Sequence, residues 1–170
     1  GMEAAGLLHA FGGALALAWC TQRARGTIDI DVNVFVGTDR LDDVLAALPA
    51  QVVCAAGDRE LLVRDGQARL WWERTPVDLF LDTTPFHADV ALRARTEHFN
   101  GADVPFLSCT DLAVFKAFFD RTKDWADLEE MALAMTTYNA DGSIDVLGFN
   151  PLMGYYENTP TNWAMTVGAT

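Results

Sequence analysis

Three aspartates carry the chemistry that this sequence suggests: Asp29 and Asp31, two residues apart, and Asp78 in a second segment of similar pattern. From Thr27 onward Ile28, Ile30, Val32, Val34 and Val36 alternate with Asp29, Asp31, Asn33 and Phe35, which predicts a β-strand with one apolar face and one working face. Side chains two apart on a strand share a face at about 7 Å, so Asp29 and Asp31 can grip one cation or hold one each of a pair. Asp78 stands among Val77, Leu79 and Leu81 in the same alternation, and pairing of the two strands would bring it alongside the others. Carboxylates that close raise one another's pKa unless a cation compensates. Mg2+ (or Mn2+) is the natural choice, because such ions take oxygen ligands and share them with substrate phosphates. A bare Asp-x-Asp also serves as two solvent-facing strand residues, so the case rests on what surrounds it.

The surroundings are a strand, a turn and helices. Leu7, Leu8, Ala10 and Phe11 form a short apolar run that stops at Gly12-Gly13, and Ala14 to Trp19 follows as a run of helix formers. Asp39 is placed to cap a helix through Leu41, Val44, Leu45 and Leu48, closed by Pro49. Asp65-Gly66, between Leu61-Leu62-Val63 and Ala68 to Trp72, predicts a two-residue hairpin, and Trp71-Trp72 would put one ring on each face of its second strand. Glu73 and Arg74 fall in the turn before the Asp78 strand. Ser108 to Asp111 has the spacing of a capping box and opens a helix through Phe119, with a second helix from about Trp125 to Met135. The chain is therefore expected to be α+β, a mixed sheet flanked by helices over 1–106, a helical portion over 107–136, and an irregular tail over 137–170 rich in Asn, Thr, Gly and Pro.

Composition narrows the partners. With 170 residues the chain suffices for one ordinary domain, and a net charge of −12 argues against strong non-specific nucleic-acid binding, which is built from clustered Lys and Arg. Cys20, Cys54 and Cys109 make neither an even disulfide set nor a close-spaced zinc pair, which suggests a reducing cytoplasm. The apolar stretch Leu7 to Cys20 is too short to span a bilayer, and Glu3 and Trp19 do not suit an export signal, so no membrane association is expected. His9, His87 and His98 are scattered, and no Walker-type lysine follows the glycines.

Taken together, Gly12-Gly13, the helix after it, Arg25, Thr27 and Asp29-Ile30-Asp31-Val32 resemble the polymerase-beta-like nucleotidyltransferase superfamily, whose signature is a Gly-Gly or Gly-Ser turn followed by an Asp-x-Asp or Asp-x-Glu strand. The stretch is most similar to small bacterial members related to abortive-infection toxins. The resemblance runs from about Leu8 to Asp82, and more loosely from Leu107 to Leu128. It implies the nucleotidyltransferase fold, with Gly12 and Gly13 approaching the triphosphate. It also implies metal held by Asp29, Asp31 and Asp78, with Asp78 the acid most needed for chemistry. Arg25 matches a frequent basic position and Lys116 a lysine that projects toward the nucleotide phosphates. Ala14 departs from the pattern, since many members carry Ser or Thr there.

Two functions follow from that resemblance. One is a metal-dependent enzyme that moves a nucleoside monophosphate from a nucleoside triphosphate to a hydroxyl on RNA, protein or a small molecule; toxin-like behaviour would bring tRNA or protein acceptors and an antitoxin partner. The other is a catalytically inactive protein of the same fold that binds nucleotide or a protein partner. A three-carboxylate Mg-dependent hydrolase is a further alternative.

Overall fold

In the computed structural model, which describes residues 1–99, 101–119 and 121–148, the chain forms two compact units. One comprises Gly1–Leu15 with Arg25–Leu107, the other Ala16–Ala24 with the chain from Ser108 onward. The first is built on a seven-stranded mixed sheet. In chain order its strands are β1 (His9–Phe11), β2 (Ile30–Val34), β3 (Val52–Val53), β4 (Gln67–Trp72), β5 (Thr75–Leu81), β6 (Arg95–Phe99) and β7 (Ala102–Phe106). Across the sheet the order is β3-β4-β5-β2-β1-β7-β6. β2 runs antiparallel to β1 and parallel to β5, and β5 pairs antiparallel with β4.

Strand alternation sorts the two faces. Val32 and Val34 of β2, Ala68 and Leu70 of β4, and Val77, Leu79 and Leu81 of β5 are buried. They pack with Leu41, Val44 and Ala47 of helix α2 (Leu41–Ala47) and Leu62 of α3 (Ala56–Asp65) into one apolar core. Burial of this layer fixes β2, β4 and β5 in register, because a slip of one residue would turn every apolar side chain outward. Asp31, Arg69 and Asp78 are thereby left on the opposite face.

Several sequence expectations are corrected here. Leu61-Leu62-Val63 is helical, and Asp65-Gly66 ends α3 instead of turning a hairpin: Gly66 takes the left-handed conformation, φ 69°, and donates its N–H to Leu62 O at 3.1 Å. A left-handed glycine serves helix C-termini as well as hairpins. The helix signal that tips the balance is Asp58, whose carboxylate accepts the Ala55 N–H at 2.9 Å. The hairpin itself lies one turn later, where Glu73, with φ 55°, joins β4 to β5. β2 begins at Ile30; Ile28 is 81 % exposed and lies outside it. Asp39 falls in a single 3-10 turn and makes no cap to α2. Trp71 and Trp72 both remain partly exposed, so neither is a core ring. Helix α4 (Pro85–Arg93) and the β6–β7 hairpin, neither of them expected from the sequence, complete this unit.

The second unit contains most of α1 (Gly13–Thr21), then α5 (Cys109–Phe119) and α6 (Thr122–Met135). Ser108 caps α5 as its spacing predicts: its hydroxyl accepts the Asp111 N–H at 3.1 Å and donates to the Asp111 carboxylate. Cys20 and Cys109 are joined in a disulfide, correcting the expectation of unpaired thiols. Their separation of 89 residues hid the pair, which forms because the last turn of α1 meets the first residue of α5. Part of the predicted irregular tail is ordered as a hairpin, β8 (Thr137–Tyr138) with β9 (Ile144–Val146); residues 149–170 lie outside the described residues. Among the described residues no helix is long and apolar enough to cross a membrane.

Candidate active site

Parallel pairing of β2 with β5 sets Asp31 directly beside Asp78. Two carboxylates that are 47 positions apart in sequence thus become neighbours on one face of the sheet. Asp29 stands just before β2, its position set by Thr27, whose hydroxyl donates to Asp29 Oδ1 at 2.6 Å. The sheet therefore sets Asp31 beside Asp78, and Asp29 lies just outside β2 next to them.

The glycine turn closes on the same point. The Gly12 N–H donates to the Asp31 backbone carbonyl at 2.9 Å, tying the end of β1 to β2. Gly13 then starts α1 with φ 51°, and a Cβ built on it would fall within the Asp31 carboxylate. Only glycine satisfies both demands, a left-handed backbone and no side chain facing the acid. At Gly12 a Cβ would lie 3.0 Å from Asn33 Nδ2 and 3.2 Å from Leu107 Cδ1, a crowded position that lacks the left-handed requirement. The amide of Gly12 is thus used inside the fold, while the first N–H groups of α1 have no partners within the helix.

Arg69 was not anticipated from the sequence and places a cation among these acids. It lies opposite Asp78 in the β4–β5 ladder and donates to it through two bonds, Nε to Oδ1 and Nη2 to Oδ2, each 2.6 Å. Nη2 also reaches Asp29 Oδ2 at 3.3 Å. These bonds to Asp78 hold the guanidinium's pKa above its ordinary value; burial opposes them, and the charges of Asp78, Asp29 and Asp31 reinforce them. A usable signal was present in the sequence. With the turn at Glu73-Arg74, an antiparallel hairpin makes Arg69 and Asp78 direct partners.

Whether a divalent ion suits this site is answered by the donor set. Among the described residues no three His, Cys, Asp or Glu side chains stand close enough to hold an ion as they are arranged. The acids are nevertheless hard oxygen donors on one face, and they already demand a cation, which the protein meets with Arg69. By the chemistry of their oxygen donors Asp31 and Asp78, with Asp29 adjacent, would suit a divalent ion, for which Arg69 would be the competitor.

The other expected contacts lie apart from these acids in the sequence. Arg25 is exposed on the segment between α1 and β2. Lys116 is buried in the helical unit, its Nζ 2.6 Å from Asp127 Oδ2 and 3.5 Å from Asp124 Oδ1. Arg121 completes that network on Asp124. The carboxyl of Asp124 is pushed up by burial, the largest influence, yet the Arg121 hydrogen bond and the charges of Lys116 and Arg121 together bring it below the ordinary 3.8.

No family model and no curated protein matches the chain. Among solved structures it is similar to the lincosamide antibiotic adenylyltransferase LnuA in its lincomycin-bound form, with a TM-score of 0.50 at 11% identity, over 76% of this chain and 89% of that one. It is also similar to ANT(2")-Ia in complex with adenylyl-2"-tobramycin, with a TM-score of 0.55 at 14% identity, over 78% of this chain and 82% of that one. The solution structure of ANT(2")-Ia gives 0.52 at 13% identity, over 78% and 76%. At such identities the likeness is one of fold, and the fold is that of the nucleotidyltransferases.

Proposed function

Starting from the nucleotidyltransferase fold, we propose that this chain transfers a nucleoside monophosphate from a nucleoside triphosphate to a hydroxyl of a small molecule. The observation that carries the reading is the registration of Asp31 beside Asp78, with the Gly12-Gly13 turn closed against Asp31. In this reading the first turn of α1 receives the triphosphate, and exposed Arg25 adds a cation beside it. Asp31 and Asp78, with Asp29 adjacent, hold Mg2+ or Mn2+, which when bound neutralises phosphate charge and lowers the pKa of a coordinated hydroxyl. Asp78, central in its strand, faces the acceptor, while Asp31, locked by the glycine turn, orients the nucleotide.

Acceptor chemistry is narrowed by charge. A chain of net charge −12 attracts polycations and repels RNA, so a hydroxylated, amine-bearing small molecule suits it better than tRNA. The neighbours whose structures hold lincomycin and adenylyl-2"-tobramycin support an acceptor of that size. The test is to incubate the protein with each α-phosphate-labelled nucleoside triphosphate and Mg2+ or Mn2+, offering an aminoglycoside, a lincosamide, tRNA and protein. Label on a small molecule supports the proposal, whereas label confined to tRNA or protein moves the acceptor to the toxin-like class. A second reading, a catalytically inactive protein of this fold, is favoured by the bidentate hold of Arg69 on Asp78. Nucleotide binding without transfer to any acceptor would establish it.

A further inference from the structure

We infer that Arg69 is a displaceable counter-ion, which keeps the carboxylates neutralised until nucleotide and divalent ion arrive together and then moves onto the triphosphate. The inference rests on the proposed metal-holding role of Asp29, Asp31 and Asp78. Its first support is position. The guanidinium spans the two carboxylates that flank the site, bidentate on Asp78 and 3.3 Å from Asp29, so an ion that takes Asp78 must compete with it. The second support is accessibility. The Arg69 side chain is 50 % exposed while Asp78 and Asp29 are 21 % and 27 % exposed, so the arginine can swing into solvent without disturbing the core beneath β4.

Chemistry supplies the rest. Guanidinium does not lose its proton in a protein, so the site is cleared by exchange of partners and never by titration. Displacing it onto water alone leaves a cation beside an entering cation, which penalises metal binding in the absence of nucleotide. A triphosphate removes that penalty, because its oxygens match the forked donors of arginine as well as a carboxylate does. Metal and nucleotide are therefore expected to assist one another, each raising the affinity for the other by the same factor.

The experiment is Mn2+ binding to the full chain, followed by electron paramagnetic resonance, with and without a nucleoside triphosphate, for the wild type, Arg69→Met and Arg69→Lys. Arg69→Met should bind Mn2+ alone about ten-fold more tightly than wild type, since a cation at this range weakens a second one by that order. The factor by which nucleotide tightens Mn2+ binding should shrink correspondingly, and Arg69→Lys, which keeps the charge without the fork, should fall between. The melting temperature without metal should drop in Arg69→Met and recover with Mn2+, a readout independent of transfer activity. Equal Mn2+ affinity in wild type and Arg69→Met would overturn the role of Arg69 and leave the metal site standing. Absence of Mn2+ binding in every form, with nucleotide present, would overturn both.

Discussion

Replacing Gly13 by alanine tests the point where turn and acid meet. Two costs add. A non-glycine residue at φ 51° costs about 1–2 kcal/mol in the left-handed region. The new methyl also lands within the Asp31 carboxylate, and rotating that carboxylate away leaves the Asp31 Cβ still 3.1 Å from it, so backbone must move. Overpacking of this kind costs about 1–3 kcal/mol. The sum is about 2–5 kcal/mol, which for a chain of this length lowers the melting temperature by about 4–20 °C. Gly12→Ala is the control. Its close contacts are the ends of the Asn33 and Leu107 side chains, with Asp31 Cβ at an ordinary 3.7 Å, so it should cost about 1 kcal/mol or less beyond ordinary substitution effects. Thermal denaturation of the three proteins, with Mn2+ titrated into each, gives both stability and site integrity. Gly13→Ala melting within about 2 °C of wild type with unchanged ion binding would refute the locked turn, since even the smaller strain predicts more.

Other outcomes follow from the helical unit. Lys116→Met removes the buried ammonium that Asp124 and Asp127 share and should destabilise by about 3–5 kcal/mol, the usual result of removing one partner of a buried ion pair. Lys116→Met combined with Asp127→Leu should regain most of that loss in chemical denaturation. A Lys116→Met protein of wild-type stability but weakened nucleotide binding would instead support the phosphate contact that the resemblance implies. Because the folded Asp124 carboxyl lies below its ordinary 3.8, its contribution to stability is complete above that value and is lost as pH falls through and below it. Unfolding midpoints measured between pH 7 and 3 should therefore hold steady and then fall at the acid end, and Asp124→Asn should flatten that limb. An acid limb unchanged in Asp124→Asn would assign it to other groups.

The pairing of the candidate acids was more legible in the sequence than the framework around them. The alternation around Asp31 and the second one around Asp78 needed only strand pairing to join those two acids, although β2 begins at Ile30 and leaves Asp29 just before it. Asp65-Gly66 misled because a left-handed glycine ends helices as readily as it turns hairpins, and the Asp58 cap that decides the matter lies seven residues upstream. Arg69 was missed because its meaning depends on register: it becomes a site residue only when the Glu73-Arg74 turn pairs it with Asp78. The Cys20–Cys109 bond depends on a contact between distant helix ends, which no local pattern encodes. Lys116 shows the opposite ambiguity. A lysine in an apolar helix suits either a ligand or a buried acid, and here Asp124 and Asp127, on the next helix, take its ammonium.

The central claim is that Asp31 couples a divalent ion to a nucleoside triphosphate. Calorimetric titration of each nucleoside triphosphate with Mg2+ into the wild type and Asp31→Asn tests it most directly. The account predicts binding to the wild type that needs the ion and falls at least ten-fold in Asp31→Asn, a loss of about 1.4 kcal/mol or more. Equal affinity in the two proteins, or binding to the wild type indifferent to Mg2+, would contradict it.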